Sequence, residues 1–230
     1  MAKNHAPSLR LTLRALAHLL AYPDAQLRAV LPELAQALAQ ERALRPERLA
    51  ELQNLCSQLQ LSDPLEVEAR YVETFDRGRS TSLHLFEHVH GDSRDRGPAL
   101  VDLMQTYERA GLSFSASELP DHLPVVLEFA STQSPEVARS FLGEMAHILQ
   151  ALFSALLARG TPYASVVAAI LEIAGQQAQA VPVAPEPEID ASWDEPNAFE
   201  GCSNRGQAKP GQPQPLHFVR NTRTPQGASV

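Results

Sequence analysis

The chain has 230 residues, of which 44% are hydrophobic, and it carries 27 acidic against 19 basic residues, giving a net charge of -8. This length and composition predict a globular protein with one sizeable core. The acidic balance argues against nucleic-acid binding, because phosphate contacts need a basic surface, and it favours a basic peptide as a partner.

The N-terminal sequence MAKNHAPSLRLTLRALAHLLAYPD lacks the continuous apolar run of a signal peptide, because Arg10, Arg14 and His18 recur at helical spacing. No window reaches the roughly 18 apolar residues that would span a membrane. The only cysteines, Cys56 and Cys202, lie far apart and form no CxxC motif, and we expect Cys56 to be buried. These features predict a soluble, cytoplasmic protein.

Apolar residues recur with a period near 3.6 over most of the chain, which is typical of amphipathic helices packed on each other. Asp63, Ser134 and Thr161 each stand before a proline, a pattern that favours a capped helix start. No stretch of comparable length alternates as a strand would. The sequence therefore predicts an all-α fold, a single helical bundle over residues 1–180, with helices near residues 8–22, 25–42, 46–60, 63–76, 98–110, 121–131, 135–159 and 162–179.

The composition changes after residue 180. The remaining segment, residues 181–230, holds eight of the 18 prolines and shows no helical stripe. It is acidic as far as Glu200 and weakly basic beyond it, and it contains the only tryptophan, Trp193. We predict a disordered or loosely attached tail, which serves either as a solvated linker or as a strap that docks on the helical domain or on a partner.

A polar segment interrupts the helical pattern at residues 76–97, DRGRSTSLHLFEHVHGDSRDRG, and holds three of the eight histidines. The spacing of His84, His88 and His90, with Glu87 and Asp92 nearby, suggests a metal site, but on a helix His90 would lie about 200° beyond His88 and could not join the other two. A strand would have no clear partner in the chain. We therefore expect a helix or loop whose histidines cap helix ends or bond to the backbone, and a metal-dependent enzyme using these side chains is the alternative.

Enzymes of other classes find little support in the sequence. There is no nucleophile elbow, no phosphate-binding P-loop and no dinucleotide-binding glycine motif that follows a strand. A connection of about twenty residues inside a helical body is uncommon, however, and such loops tend to be functional. The segment is therefore best interpreted as a recognition loop, anchored by Leu83, Leu85 and Phe86, with its charged ends available to a partner.

Two stretches, YVETFDRGRSTSLHLFEHVHGDSRDRGPALVDLMQTYERAGL at residues 71–112 and ELPDHLPVVLEFAS at residues 118–131, carry a family resemblance. They resemble the respiratory nitrate reductase assembly chaperones of the NarJ type, a branch of the TorD-like maturation chaperones for molybdoenzymes. The similarity extends from LLAYPD near the first helix to QPLHFVR in the tail. It implies an all-α, cytoplasmic, non-catalytic protein without a cofactor of its own.

The resemblance also implies a partner and a site. The partner is the catalytic subunit of nitrate reductase, held through its N-terminal, leader-like segment while molybdenum cofactor and an iron–sulfur centre are inserted. In the wider family an E-x-x-D-H motif borders the groove for such a segment, and here Glu118, Asp121 and His122 occupy those positions. The residues expected to complete an apolar site around the motif are Tyr22, Leu83, Leu85, Phe86, Leu123, Val126 and Leu127.

Two roles remain open for Asp121 at this stage. It stands directly before an apolar helical stripe and is expected to be the N-cap of that helix, a role worth about 1 kcal/mol. Alternatively, Glu118 or Asp121 accepts a bidentate hydrogen bond from an arginine of the partner. A third possibility for the whole protein is a generic helical adaptor, which would bind no leader-type peptide; monomer and domain-swapped dimer are both open.

Overall fold

The computed structural model describes residues 8–91, 93–113 and 118–182. Within these ranges the only β-structure is an isolated bridge, and a 3-10 turn covers Arg79–Thr81. The all-α prediction is confirmed, whereas the predicted tail lies almost wholly outside the described residues. The helices are α1 (Arg10–Leu19), α2 (Ala25–Glu41), α3 (Pro46–Leu61), α4 (Pro64–Phe75), α5 (Leu85–His90), α6 (Arg96–Arg109), α7 (Leu123–Ser131), α8 (Pro135–Glu144), α9 (Ala146–Ala158) and α10 (Ala164–Ile173).

The core is built around helices that are apolar on most of their surface. Eight of the ten residues of α10 are buried, and this helix packs against α9, α3, α8 and α1. Helix α1 packs against α7 and α2 and buries Leu13, Leu16 and Leu19 completely. A helix that is apolar all round is stable in water only when other helices cover it, so the composition of α10 itself dictates its central position.

Side-chain caps define several helix starts. Asp24 accepts a hydrogen bond from the Leu27 amide at 2.8 Å, and Asp63 accepts one from the Leu65 amide at 2.9 Å. The Ser134 hydroxyl accepts the Val137 amide at the start of α8. These bonds satisfy amides that have no partner inside the helix, which is the reason for the local sequence signal.

Helix α1 receives its cap from a distant residue. Its own N-cap position, Leu9, offers no side-chain hydrogen bond. Instead, the Glu41 carboxylate accepts the Leu11 amide at 3.2 Å and the Thr12 amide at 2.7 Å. Glu41 is the last residue of α2, so the first turn of α1 is completed only when these two helices have packed together.

The predicted helix over residues 135–159 is wrong in one respect. It is two helices, α8 and α9, which meet at Met145 with a bend of 70°. Among the described residues no single helix has the length and apolar character needed to cross a membrane; α8 and α9 would meet that test only if taken together across their bend.

Candidate functional site

The histidine-rich segment folds as a 3-10 turn followed by the short helix α5, not as an open loop. Leu83 and Leu85 are buried, and Phe86 is half-buried. The expectation that these side chains anchor the segment to the helical body is therefore confirmed for the two leucines. The helical part was allowed by the sequence but was not placed by it, because residues 85–90 are too few to show a periodic stripe.

A short antiparallel bridge ties this segment to the residues before α7. The Leu123 amide donates to the Leu83 carbonyl at 2.8 Å, and the Leu85 amide donates to the Asp121 carbonyl at 3.1 Å. His84 and His122 face each other across this bridge. Among the described residues the segment forms no strand, in agreement with the expected helix or loop, but its extended residue His84 pairs with a residue 38 positions further along the chain.

Asp121 lies next to the bridge, directly before His122, with 0% of its surface exposed. Its Oδ2 atom accepts the backbone amide of Phe86 at 3.0 Å, in the first turn of α5. The prediction that Asp121 is the N-cap of its own helix is wrong, because that position belongs to His122, which makes no side-chain cap bond. Asp121 caps a different helix, 35 residues earlier in the chain.

The buried carboxylate has positively charged neighbours from its own chain. Arg96, in the first turn of α6, places Nη2 3.9 Å from Asp121 Oδ2 and donates from Nη1 to Glu87 Oε1 at 3.2 Å. Burial alone would raise the pKa of the Asp121 carboxyl. Contacts with His84, the Phe86 amide and Arg96 outweigh burial and hold that pKa below its ordinary value, which favours the ionised carboxylate.

The two histidines of the bridge have different surroundings. His84 Nδ1 lies 3.5 Å from Asp121 Oδ1, and this carboxylate raises the pKa of His84 against the opposing effect of partial burial. Burial, followed by the charge of His84, lowers the pKa of His122. Glu118 Oε2 is 4.0 Å from His122 Nδ1, and the Glu118 side chain is largely exposed. Within the E-x-x-D-H motif, Glu118 is therefore exposed, whereas Asp121 is buried and His122 is mostly covered.

The metal-site alternative has no geometric support in the described part of the chain, where no three histidine, cysteine or acidic side chains are grouped to hold an ion. A ring nitrogen of His88 is 2.8 Å from the Ser82 carbonyl oxygen. His84 is directed at Asp121 instead. The interpretation of these histidines as partners of backbone and helix-end groups is confirmed for His88.

A groove of about 690 Å³ lies beside this network, between α5, α6, α8 and the start of α9. Its apolar lining is Phe86, Val89, Ala99, Leu103, Phe129, Val137, Phe141, Met145 and Ile148. Two acidic side chains, Asp102 and Glu144, and two histidines, His90 and His147, lie among them. The arrangement can receive an apolar stripe and can attract basic side chains at its edges.

The predicted site residues do not all meet at this groove. Phe86 lines it, whereas five of the predicted residues are buried in the core, namely Leu83, Leu85, Leu123, Val126 and Leu127. Tyr22 is exposed and lies in a separate cavity of about 430 Å³ on α4, where its hydroxyl donates to Glu68 Oε2 at 3.0 Å.

Sequence reasoning missed most of the groove. Val137 and Phe141 recur at helical spacing with other apolar residues, a pattern that predicts packing between helices, yet Val137 is 50% exposed. An available signal was the width of the stripe. Residues 137, 141, 145 and 148 follow one another on one side of a segment that must also bury Ala138 and Leu142. On α8 the four apolar positions 137, 138, 141 and 142 span about 140° of the helical wheel, so one edge of the stripe can lie outside the core.

The fold and the site together define a class: an all-α protein that presents an apolar groove with acidic edges, next to a buried carboxylate that caps one of the helices lining the groove. Residues 20–169 match the family described as "Nitrate reductase delta subunit". The chain belongs to this family, as the resemblance in its sequence indicated.

Individual relatives agree with this assignment. The chain is 40% identical over 191 residues to the nitrate reductase molybdenum cofactor assembly chaperone NarJ of Escherichia coli (strain K12), a match that covers 83% of this chain and 81% of that protein. It is 36% identical over 162 residues to the "Probable nitrate reductase molybdenum cofactor assembly chaperone NarJ" of Bacillus subtilis (strain 168), covering 70% and 87% respectively. These relatives are named as assembly chaperones and not as enzymes.

One solved structure shares the fold. The crystal structure described as that of a redox enzyme maturation protein from Archaeoglobus fulgidus superposes with a TM-score of 0.52 at 20% sequence identity. The match covers 74% of this chain and 96% of that one. At this identity the similarity establishes the helical architecture alone.

Proposed function

We propose that this protein is an assembly chaperone for a respiratory nitrate reductase. In this proposal it binds the N-terminal segment of the immature catalytic subunit and releases that subunit after molybdenum cofactor and an iron–sulfur centre have been inserted. The observation that carries the proposal is the apolar groove between α5, α6 and α8, which is about 690 Å³ in volume and has acidic edges. The names of the relatives supply the client.

The chemistry of the groove selects an amphipathic helix with basic residues. An apolar stripe of side chains at positions i, i+3, i+4 and i+7 would fill the space between Phe86, Leu103 and Phe141. Basic side chains on either flank of that stripe would reach Asp102 and Glu144. The net charge of -8 would also accelerate encounter with a basic segment.

Such a chaperone needs no nucleotide and no catalysis. A binding protein shifts the state of its client only through a difference in affinity between two client states. If the client segment is accessible before cofactor insertion and packed away afterwards, occupation of the groove favours the open, cofactor-accepting client. We place this step in the cytoplasm, before the catalytic subunit docks at the membrane.

The proposal is tested by calorimetry with a peptide that copies the first residues of a nitrate reductase catalytic subunit. Val137→Glu places a charge in the groove and is expected to weaken binding by at least tenfold, because burying an unpaired carboxylate is costly. Val101→Glu is the matched control, since Val101 is 47% exposed on α6 and does not line the groove.

The outcomes separate the proposal from its alternatives. Saturable binding by the wild-type protein and by Val101→Glu, with loss in Val137→Glu, supports the groove. Equal weakening in both variants, or no heat of binding to folded wild-type protein as judged by circular dichroism, would contradict it. The second result is the one that a generic helical adaptor would give.

A further inference from the structure

We infer that Asp121 is a positioning residue, which holds helix α5 as a wall of the groove and does not itself contact the bound segment. This inference rests on the proposed function, because it assigns the E-x-x-D-H motif an indirect part in recognition. The observation behind it is that the Asp121 side chain is completely buried while the helix that it caps lines the groove.

Helix α5 depends on contacts from other parts of the chain. It has only six residues, and helices of this length are unstable unless packing or capping holds them. Its N-cap position, His84, supplies no side-chain bond. The helix nevertheless contributes Phe86, Val89 and His90 to the groove, so the position of α5 decides the shape of one wall.

Asp121 supplies what α5 lacks. Its side chain accepts the Phe86 amide at 3.0 Å, and its carbonyl accepts the Leu85 amide at 3.1 Å. Both amides belong to the first turn of the helix, which has no carbonyl partners of its own. Two bonds from one residue therefore fix the turn that carries Phe86 into the groove.

The ionic partners of Asp121 are also internal. Arg96 approaches its Oδ2 atom at 3.9 Å, and His84 approaches its Oδ1 atom at 3.5 Å. Arg96 on α6 thus occupies the position beside Asp121 that an arginine of a bound segment would otherwise fill. Arg96 also bonds Glu87 on α5, so the same side chain links α6, α5 and the buried carboxylate.

The first experiment measures the free protein by hydrogen exchange. Asp121→Ala is expected to increase exchange at the amides of residues 85–90 at least tenfold, because the cap is lost, while the amides of α10 remain protected. Glu41→Ala removes the comparable long-range cap from α1 and is the matched control, which leaves α5 protected. Unchanged exchange at residues 85–90 in Asp121→Ala would overturn the inference, whether or not any peptide binds.

The second experiment asks whether Asp121 touches the peptide. Asp121→Ala is expected to weaken peptide binding about tenfold, since affinity falls with the fraction of molecules that keep α5 in place. Asp121→Ala should weaken binding by the same factor for a peptide in which arginine is replaced by citrulline. The double variant Phe86→Ala with Asp121→Ala should bind the peptide no more weakly than Phe86→Ala alone.

The conservative variant completes the test. The side-chain oxygen of Asp121→Asn can still accept the Phe86 amide, so this variant is expected to regain most of the affinity lost in Asp121→Ala. If Asp121→Asn binds as weakly as Asp121→Ala, and that loss vanishes with the citrulline peptide, Asp121 contacts the arginine directly and the inference is wrong. Absence of binding by wild-type protein would contradict the proposed function and leave the exchange result standing.

Discussion

The imidazole rings of His84 and His122 lie with their centroids 5.0 Å apart and their planes inclined by 31°. Their surroundings nevertheless shift the two pKa values in opposite directions, up for His84 beside Asp121 and down for the more buried His122. Two adjacent groups of one chemical type therefore make opposite contributions to the pH dependence of folding.

Replacing each histidine separately should change the slope of the unfolding free energy against pH, and the two replacements should change it in opposite directions. Because the His84 pKa is raised, its contribution is present below the pKa of the unfolded chain and is lost as pH rises through the folded value. Because the His122 pKa is lowered, the stability that neutral His122 contributes is lost as pH falls from the pKa of the unfolded chain through the lower folded value. Between about pH 5 and pH 8, the free energy of unfolding should rise more steeply with pH in His84→Gln and less steeply in His122→Gln.

Urea unfolding at closely spaced pH values measures these slopes, and His18→Gln, on α1 and far in sequence from the bridge, is the control. Identical slopes in wild-type protein and both bridge variants would show that the neighbouring carboxylates do not distinguish the two rings.

The acidic edges of the groove should determine how peptide binding responds to salt. Glu144→Gln removes a charge from the groove and is expected to lower affinity for the basic peptide about threefold at low ionic strength, with a smaller effect at high salt. Glu136→Gln lies on the same helix but outside the groove and should leave affinity unchanged. Calorimetry at two salt concentrations measures both, and a salt-independent loss in Glu144→Gln would contradict the electrostatic explanation.

An ion pair between α3 and α10 should stabilise the bundle. Glu172 Oε1 accepts from Arg48 at 3.0 Å, and the two side chains are only 13% and 15% exposed. Arg48→Ala leaves Glu172 with only the exposed Arg45 as a partner and should cost about 1 kcal/mol of unfolding free energy. The exposed pair Arg70–Glu66 on α4 provides the comparison, and Arg70→Ala should cost less than about 0.5 kcal/mol.

Urea denaturation monitored by circular dichroism distinguishes the two variants. Equal and small losses in Arg48→Ala and Arg70→Ala would indicate that the α3–α10 pair is as weak as an ordinary surface pair.

Cys56 should resist thiol reagents in the folded protein. Burial raises the pKa of its thiol to about 11, so at pH 8 only about 0.1% would be thiolate even before steric protection is considered. In a Cys202→Ser background we expect negligible reaction with a chromogenic disulfide reagent, followed by one equivalent of reaction when denaturant is added. Rapid reaction without denaturant would mean that α3 opens locally.

Local sequence signals predicted much of the fold because many helix starts are local events. Asp63 and Ser134 cap α4 and α8 as their position before proline indicated. Thr161 was misleading: α10 begins at Ala164, two residues later than predicted, with Tyr163 at its N-cap. The bundle class needed only the 3.6-residue period, which the core helices retain throughout.

The break between α8 and α9 at Met145 could not be predicted from local sequence signals. The apolar stripe continues from α8 into α9 at the spacing of one uninterrupted helix, so periodicity contains no sign of the bend. The bend follows from packing, since α8 contacts α7 and α10 whereas α9 contacts α10 and the Arg79–Thr81 turn. The same bend brings Val137 and Ile148 to one groove.

The role of Asp121 could not be predicted because its partners are distant in sequence. A carboxylate before an apolar stripe is normally the cap of the helix that follows. Here the bridge at His84 and His122 turns the side chain toward the Phe86 amide, 35 residues earlier. The motif draws attention to Asp121, and only the three-dimensional structure shows which helix the carboxylate caps.

The Glu41 cap determines when α1 can fold completely during synthesis of the chain. The first amides of α1 are synthesised about thirty residues before the carboxylate that accepts them. Until Glu41 emerges from the ribosome, only the Ser8 hydroxyl, which accepts the Arg10 amide at 3.3 Å, caps α1, and this ten-residue helix frays at its start. Its completion therefore coincides with the docking of α2, and the N-terminal helical pair becomes structured as one cooperative unit.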